Sequence, residues 1–187
     1  MRNKCAFSGS GGQGAALMAK LICMASITEK KQVVMTQTYG VEQRGGDSTG
    51  YVVISTEAIS NPIVENDADI GVALSDSIYR PTLAGMREGG TLFVNSSMAK
   101  SIVEKPGVKQ VRLPVSELAK EMGNIRVANI IMLGAVIEAT GVLKVDSIVA
   151  ALTATLGKKD KKALLDVNIQ ALHKGAEMMM QKEVRQS

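Results

Sequence analysis

The sequence predicts an α/β fold in which a mainly parallel sheet is flanked by helices. Two observations support this prediction. Short apolar runs alternate with longer stretches of helical periodicity, which is the order that produces βαβ units. A glycine-rich loop also lies between the first apolar run and the first helical stretch, as in Rossmann-like folds. With 187 residues, of which 45% are hydrophobic, the chain is expected to form one domain over residues 1–187 with a full core.

Six strands are predicted from short, largely apolar runs bounded by turn residues. The third run follows a glycine-rich loop directly and leaves no room for a crossover helix, so we expect this one strand to pair antiparallel with a neighbour. The predicted strands are Lys4–Ser8, Val33–Gln37, Tyr51–Ser55, Ile70–Leu74, Thr91–Asn95 and Gln110–Leu113.

Six helices are predicted between and after these strands. Asp76, Ser116 and Asp146 are interpreted as N-caps, because a short polar side chain at that position accepts from the free N–H groups of the first turn. Gly141 is interpreted as a helix stop. The predicted helices cover residues 13–28, 76–88, 115–122, 125–140, 145–156 and 160–182.

The helix over 125–140 is apolar on nearly every side, so it belongs inside the molecule or inside an assembly. Gly134 within it allows a neighbour to approach closely. Asn129 is a lone amide that is interpreted as tying a loop down, with ligand contact as the alternative. Together with the methionines at 178–180, this helix predicts self-association of the isolated chain.

The first glycine-rich loop carries the strongest signal for ligand binding. Gly9, Gly11 and Gly14 fill the pattern G-x-G-x-x-G between a predicted strand and a predicted helix. Glycines there permit a tight turn and the close approach of a phosphate, while the first N–H groups of the helix face outward and suit an anion. The alternative is a glycine-rich turn that binds nothing.

A nicotinamide site would need an acidic residue at the end of the second strand to hold the ribose hydroxyls. The predicted strand Val33–Gln37 continues into Thr38-Tyr39-Gly40 without one, and Glu42 follows late in a turn-rich loop. A stand-alone NAD(P)-binding enzyme is therefore disfavoured.

A second loop, Tyr39 to Ser48, places Arg44 beside two glycines. A guanidinium group matches a phosphate or a carboxylate with two parallel hydrogen bonds. A surface pair between Arg44 and Glu42 is the alternative interpretation.

Composition narrows the class of protein. Residues 1–157 hold 15 Lys and Arg against 14 Asp and Glu, so three of the four excess positive charges lie in the last 30 residues. With five aromatic residues in the chain, nucleic-acid binding is not supported. No apolar run of membrane length and no signal-peptide pattern is present, so we expect a cytoplasmic protein that does not contact membranes. Cys5 and Cys23 are too isolated to form a metal or iron–sulfur site, and His173 is expected at the surface.

The two loops together resemble the gamma subunit of the 2-oxoacid:ferredoxin (or acceptor) oxidoreductases. The resemblance rests on Gly-Ser-Gly-Gly-Gln-Gly at 9–14, Tyr-Gly-Val-Glu-Gln-Arg-Gly-Gly-Asp-Ser at 39–48, and Asn129 with Leu-Gly-Ala at 133–135. Weaker matches extend it over roughly residues 3–180.

The resemblance implies a complex that oxidatively decarboxylates a 2-oxoacid to an acyl-CoA and passes electrons to ferredoxin. It implies alpha, beta and ferredoxin-like delta partner subunits, with thiamine diphosphate, Mg²⁺ and iron–sulfur clusters on those other chains. It places this chain on the side of the active centre where coenzyme A, the co-substrate, binds. The residues implied in contact with coenzyme A are Gly9, Gly11, Gly12, Gln13, Gly14, Arg44 and Ser48, and none is implied as catalytic.

The residues themselves also predict that the isolated chain is inactive. A thiamine diphosphate site is usually read as G-D-G followed by Asn, and Gly46-Asp47-Ser48 breaks this pattern. A purely structural assembly module stays open as an alternative, as does the identity of the 2-oxoacid among pyruvate, 2-oxoglutarate, branched-chain oxoacids and indolepyruvate.

Overall fold

The structure, a computed structural model, describes residues 1–40, 46–157 and 162–184. In these ranges six strands form one sheet in the order β2-β3-β1-β4-β5-β6. All six predicted strands are confirmed, most of them with longer bounds. The strands are β1 (Arg2–Ser10), β2 (Gln32–Tyr39), β3 (Asp47–Ser55), β4 (Ala68–Ala73), β5 (Met86–Asn95) and β6 (Lys109–Leu113).

The predicted antiparallel strand is confirmed as β3, which lies between β1 and β2 and runs antiparallel to both. The pairs β1–β4, β4–β5 and β5–β6 are parallel. After β1 the chain crosses to β2 on one side of it, whereas β4 lies on the other side. The strand order therefore reverses between β1 and β4. In open α/β sheets, ligands bind outside the carboxyl ends of the strands at such a topological switch point.

Helices cover both faces of the sheet unequally. On one face the sheet shares a core with five helices of the described chain, of which α1 and α4 contact the strands, while the other face packs against α2 (Asp76–Ala84) and loops. Alternation along β1 follows from the pleat, since Cys5 and Phe7 face the larger core and Ala6 faces the smaller one. The remaining helices are α1 (Ala15–Thr28), α3 (Val115–Glu121), α4 (Ala128–Thr140, preceded by a 3₁₀ turn, Ile125–Val127), α5 (Val145–Leu156) and α6 (Lys162–Val184).

The helix α4 lies inside this chain rather than at an assembly surface, because every residue from Asn129 to Ile137 is buried. It crosses α6 at the glycine pair Gly134 and Gly175. A Cβ added at Gly134 would lie 2.9 Å from the carbonyl carbon of Leu172, so only a glycine permits this approach. The close contact predicted for Gly134 is thus with a helix of the same chain.

Self-association was predicted from an apolar surface formed by this helix and the methionines at 178–180, and most of that surface is buried. The helix α4 is buried, Met179 is buried, Met178 is half-buried, and among these methionines only Met180 is exposed. Self-association itself stays a prediction.

One predicted helix is too long. The helix predicted over 76–88 ends at Ala84, and Met86 begins β5, opposite Ala68 of β4. Pairing of the backbone in the sheet and burial of Met86 override the local helical pattern. The start predicted at residue 160 lies outside the described residues.

The three predicted N-caps are wrong, since each of those residues lies inside its helix. The observed N-caps are Ser75, Pro114 and Lys144. The carboxylate of Asp76 instead accepts from the backbone N–H groups of Lys100 (2.7 Å) and Ser101 (3.4 Å), which lower the pKa of Asp76. The helix stop predicted at Gly141 is confirmed, with a left-handed φ of 59°.

Glu29 ties the turn after α1 to the loop before α5. Its Oε1 accepts from the backbone N–H of Lys144 at 2.7 Å, and its Oε2 pairs with Lys31 Nζ at 2.9 Å. Burial is the largest single effect and raises the pKa of Glu29. It is outweighed by hydrogen bonds from the Lys144 N–H, Lys31 and Ser147 and by the positive charge of Lys31, so the net pKa is lowered.

Candidate functional site

The glycine-rich loop joins β1 to α1 at the carboxyl edge of the sheet. Gly11, Gly12 and Gly14 have φ values of 49°, 76° and 86°, a left-handed region that strongly favours glycine. Three glycines in this region within four residues allow the chain to turn from strand to helix in a single tight loop. The predicted strand–loop–helix context of the G-x-G-x-x-G pattern is therefore confirmed.

The loop satisfies part of its own hydrogen bonding. Gly11 N–H donates to the carbonyl of Gly46 at 3.3 Å, and Gln13 N–H donates to the carbonyl of Ser10 at 3.1 Å. The side chain of Gln13 folds back, and its Oε1 accepts from Ser10 N–H at 2.8 Å. Gly11 and Gln13 thus shape the loop, and among the described residues no acceptor is found for the N–H groups of Gly12 and Gly14.

Gly12 is the open position of the loop. It is exposed, and a Cβ added there would meet no atom within 4 Å. Its backbone is therefore free to contact a ligand beside the first turn of α1, where the N–H groups favour an anion.

Asn129 holds the other side of the loop. It is 4% exposed, and its Nδ2 donates to the carbonyl of Gly14 at 3.4 Å. A Cβ added at Gly14 would lie 2.9 Å from Cγ of Asn129, so glycine is required there by packing as well as by φ. The interpretation of Asn129 as an amide that ties a loop down is supported by this contact.

The second predicted loop meets the first at the start of β3. Asp47 Oδ1 accepts from Ser77 Oγ at 3.0 Å and from Ser10 Oγ. Ser48 Oγ donates to the carbonyl of Gly9 at 3.5 Å. Arg44 lies outside the described residues. The C-terminal end of the second loop, from Gly46 to Ser48, is thus anchored to the glycine-rich loop.

A cavity of about 310 Å³ opens beside the glycine-rich loop, at the carboxyl ends of β4 and β5. We call it the loop cavity. Gly12 and Gln13 form one side, and residues that follow β5 and residues of α3 and the start of α4 form the rest. Its apolar lining comes from Leu74, Met98, Ile125 and Ala128.

Two buried amides line the loop cavity, and each has an oxygen without a partner. Asn95 is 2% exposed; its Nδ2 donates to the carbonyl of Leu74 at 3.0 Å and to Ser116 Oγ at 2.8 Å. Because Nδ2 of both Asn95 and Asn129 donates to a carbonyl, the orientation of each amide is defined. Oδ1 of both residues has no hydrogen-bond partner among the described residues. An unsatisfied buried acceptor costs about 1–3 kcal/mol, which marks these oxygens for explanation.

Two cations border the same cavity. Lys120 of α3 and Arg126 of the 3₁₀ turn line it, both exposed, and neither forms an ion pair within the described ranges. Glu117 also lines it, so the border carries a net positive charge.

Sequence reasoning missed Asn95, Lys120 and Arg126. Asn95 ends a predicted strand, and the rule that ligands bind at the carboxyl ends of parallel strands points to such a residue. The other two have no local signal, because their placement depends on how α3 and α4 pack beside the loop.

A second cavity of about 360 Å³ lies on the α2 face and is lined in part by Ser8, Thr49 and Thr82. None of the buried side-chain atoms that lack a partner in the described ranges lines it. The loop cavity is therefore the stronger candidate for a ligand site.

The two cysteines and the histidine are not among the residues that line the loop cavity. Cys5 is buried, and burial followed by the charge of Asp69 raises its pKa to about 12. Burial also raises the pKa of Cys23, and His173 is exposed as predicted. In the part of the chain that is described, no group of three or more His, Cys, Asp or Glu is placed to hold a metal ion, and no helix is long and apolar enough to cross a membrane.

Comparison with known proteins gives consistent results. The sequence pattern of the pyruvate ferredoxin/flavodoxin oxidoreductase family matches residues 4–178. The chain is 35% identical to subunit KorC of 2-oxoglutarate synthase from Methanothermobacter marburgensis, over 97% of this chain and 98% of that protein. It is 34% identical to the common subunit gamma of the pyruvate/ketoisovalerate oxidoreductases of Thermococcus litoralis, over 84% and 90% of the two chains. The crystal structure of the gamma subunit of a keto/oxoacid ferredoxin oxidoreductase from Geobacter sulfurreducens superposes with a TM-score of 0.80 at 29% identity, covering 95% and 98% of the two chains.

Proposed function

The chain belongs to the pyruvate ferredoxin/flavodoxin oxidoreductase family, as the two glycine-rich loops predicted, and we propose that it acts as the gamma-type subunit of a 2-oxoacid:ferredoxin oxidoreductase complex. The complex would convert a 2-oxoacid and coenzyme A to an acyl-CoA and carbon dioxide while reducing ferredoxin. In this proposal residues 1–187 form one gamma-type domain in the cytoplasm. Its partners are the alpha, beta and ferredoxin-like delta subunits.

This chain contributes binding rather than chemistry in the proposal. Thiamine diphosphate, Mg²⁺ and the iron–sulfur clusters belong to the other subunits, and this chain forms part of the coenzyme A side of the active centre. The free N–H of Gly12, at the edge of the loop cavity, carries the proposal. Coenzyme A bears a diphosphate and a 3′-phosphate, and an exposed backbone N–H next to a helix N-terminus suits such a group.

The fold makes the nicotinamide alternative less suitable. In a Rossmann dinucleotide site the second strand lies next to the first, and its end reaches the ribose. Here β3 separates β1 from β2, and the end of β2 at Tyr39 and Gly40 supplies no acidic side chain. No observation favours a stand-alone NAD(P) enzyme.

Two substitutions in a reconstituted complex test the proposal. Arg44→Ala removes a charged hydrogen-bonding group and is expected to raise the apparent KM for coenzyme A about tenfold to a hundredfold, with thiamine diphosphate binding unchanged. Arg44→Lys keeps the positive charge, so its KM for coenzyme A should lie between the values of the wild type and of Arg44→Ala. Gly12→Val should raise the same KM, because a branched side chain covers the free N–H.

Gly141→Val is the matched control for backbone strain, because Gly141 also has a left-handed φ and open space but lies at the end of α4. Unchanged coenzyme A kinetics in both Arg44→Ala and Gly12→Val, with failure of subunit assembly alone, would support the structural-module alternative. The purified chain alone should not reduce a viologen dye with a 2-oxoacid and coenzyme A, and reduction by it would contradict the proposed division of labour.

A further inference from the structure

The two edges of the sheet differ in how they are protected. An exposed edge strand offers unpaired N–H and carbonyl groups to another chain, and proteins usually block it with a short strand, charged side chains or proline. At one edge, β6 has five residues and exposes Lys109 and Arg112. At the other edge, β2 has eight residues, Gln32–Tyr39, without a charge or a proline. The edge at β2 therefore has none of these three protections.

We propose that β2 pairs antiparallel with β2 of a second copy of this chain, with the two-fold axis at Gln37, so that the two six-stranded sheets become continuous. Three features of β2 support this pairing: the direction of its backbone groups, its exposed apolar side chains and the amide of Gln37. The inference does not depend on the proposed role in binding coenzyme A.

Hydrogen bonding to β3 fixes the direction of the backbone groups of β2. Gly40, directly after the strand, donates its N–H to the carbonyl of Asp47 at 2.6 Å, and the same register continues along the strand pair. In an antiparallel pair, residues that bond to the neighbouring strand alternate with residues whose N–H and carbonyl point away from it. The residues that point outward are Val33, Met35, Gln37 and Tyr39. An axis at Gln37 places outward residues opposite outward residues, so the two copies can exchange these bonds.

The exposed apolar side chains of β2 fit the same register. Met35 is 37% exposed and Tyr39 is 74% exposed. Both lie on the face of Val33, which packs against the larger core, because alternate residues of a strand share a face. Since each is two residues from Gln37, Met35 of one copy lies opposite Tyr39 of the other. Pairing therefore buries apolar area that faces water in the single chain.

The amide of Gln37 lacks a partner within the described part of the chain. Its Nε2 is buried without a hydrogen bond, and no bond to its Oε1 is found among the described residues either. Rotation of the terminal amide by a half turn exchanges the two atoms and leaves the rest of the side chain in place. At the axis, Gln37 lies opposite Gln37 of the second copy, so each amide can donate to the oxygen of the other.

The charge distribution along β2 favours a second copy over a charged partner strand. Identical strands that pair across an axis bring like side chains together, so a charge near the axis would be repelled by its copy. The nearest lysines in sequence before the strand are Lys30 and Lys31. With Lys31 six residues from the axis, its two copies lie about 40 Å apart. A charged segment of another protein would find no opposite charge on β2.

Sedimentation equilibrium of the purified full-length chain tests the inference. Wild type is expected to form a dimer. Gln37→Lys and Gln37→Glu each place two like charges at the axis and should weaken self-association about a hundredfold or more. An equimolar mixture of the two variants should form dimers again, which also shows that both are folded. Gln32→Lys is the matched control, because Gln32 is an exposed glutamine of the same strand five residues from the axis.

A disulfide bond tests the register. Gln37→Cys should cross-link two copies under mild oxidation, because bonded residues of an antiparallel pair have Cα atoms about 5.5 Å apart, within the range of a disulfide. The half-buried thiol of Cys23 is removed in this experiment by Cys23→Ser. Gln32→Cys in the same background should not cross-link, since its two copies lie about 33 Å apart.

Each contrary outcome overturns the inference. A wild-type monomer at high concentration would do so, and if Gln37→Lys then prevented assembly of a reconstituted complex, β2 would pair with a strand of another subunit instead. A dimer that both charged variants leave intact would place the interface elsewhere. Equal cross-linking through Gln32→Cys and Gln37→Cys would show that the register is wrong. Coenzyme A kinetics enter none of these measurements, so the proposed function stands or falls separately.

Discussion

Substitution of Gly14 by alanine is expected to destabilise the chain more than its backbone conformation alone requires. A non-glycine residue in the left-handed region costs about 1–2 kcal/mol. At Gly14 the new Cβ would also lie 2.9 Å from Cγ of Asn129, so the Asn129 side chain must move away and lose its bond to the Gly14 carbonyl. Displacing a packed, hydrogen-bonded side chain adds about 1–2 kcal/mol, which gives a total of about 2–4 kcal/mol.

Gly12→Ala is the matched control because it isolates the backbone cost. Gly12 has φ of 76°, close to the 86° of Gly14, but a Cβ there meets nothing within 4 Å. We therefore expect Gly12→Ala to cost about 1 kcal/mol. Urea unfolding of the purified variants, followed by circular dichroism, measures both values.

A double-mutant cycle with Asn129→Ala tests the assignment of the extra cost. In the Asn129→Ala background the obstructing side chain is absent, so Gly14→Ala should fall to the cost of Gly12→Ala, with a coupling energy of about 1–2 kcal/mol. Equal effects of Gly14→Ala and Gly12→Ala in the wild-type background, or a coupling energy near zero, would refute the reasoning.

Three further predictions follow from the packing and the titrating groups. Glu29→Gln should lower the free energy of unfolding at pH 7 by about 1 kcal/mol. Because the pKa of Glu29 is lower in the folded chain, this difference is present above the unfolded pKa and should shrink as the pH falls through the folded pKa. An unchanged difference at pH 3 would contradict this prediction. Gly134→Ala should cost about 3 kcal/mol or more in thermal or urea unfolding, because the backbone of α6 must move. Gly85→Ala, where the new Cβ makes only ordinary van der Waals contacts, should be nearly neutral, and similar values for the two variants would be inconsistent with the close crossing. Ellman's reagent at pH 8 should label Cys23 slowly in the native chain and Cys5 only after unfolding, since the pKa of Cys5 is raised to about 12, and rapid labelling of both thiols would disprove the burial of Cys5.

Local pattern was sufficient to place the elements of the sheet. Runs such as Thr91–Asn95 are short, apolar and bounded by turn residues, and this information lies within a few neighbouring residues. The glycine-rich loop was equally predictable, because the left-handed φ of Gly11, Gly12 and Gly14 is a local requirement that glycine meets. The antiparallel direction of β3 followed from the absence of room for a crossover helix after Gly46.

Local pattern failed where pairing or packing from a distant part of the chain decides the outcome. Met86 continues no helix, because pairing with Ala68 places it in β5. Asp76 caps no helix, because the backbone N–H groups of Lys100 and Ser101 take up its carboxylate. In each case a contact between residues far apart in the sequence outweighed a local preference for a helix or an N-cap, which is worth from a fraction of a kcal/mol to about 1 kcal/mol.

The sequence by itself determined the fold class, the six strands, the glycine-rich loop and the family. The tertiary structure decided that β3 lies between β1 and β2, that α4 packs against α6 inside the chain, and that Asn95, Asn129, Lys120 and Arg126 surround one cavity. Periodicity and backbone conformation are properties of neighbouring residues, so they can be read along the chain. The cavity instead depends on where the ends of β4 and β5 and the starts of α3 and α4 meet, which is fixed only when the sheet and helices pack together.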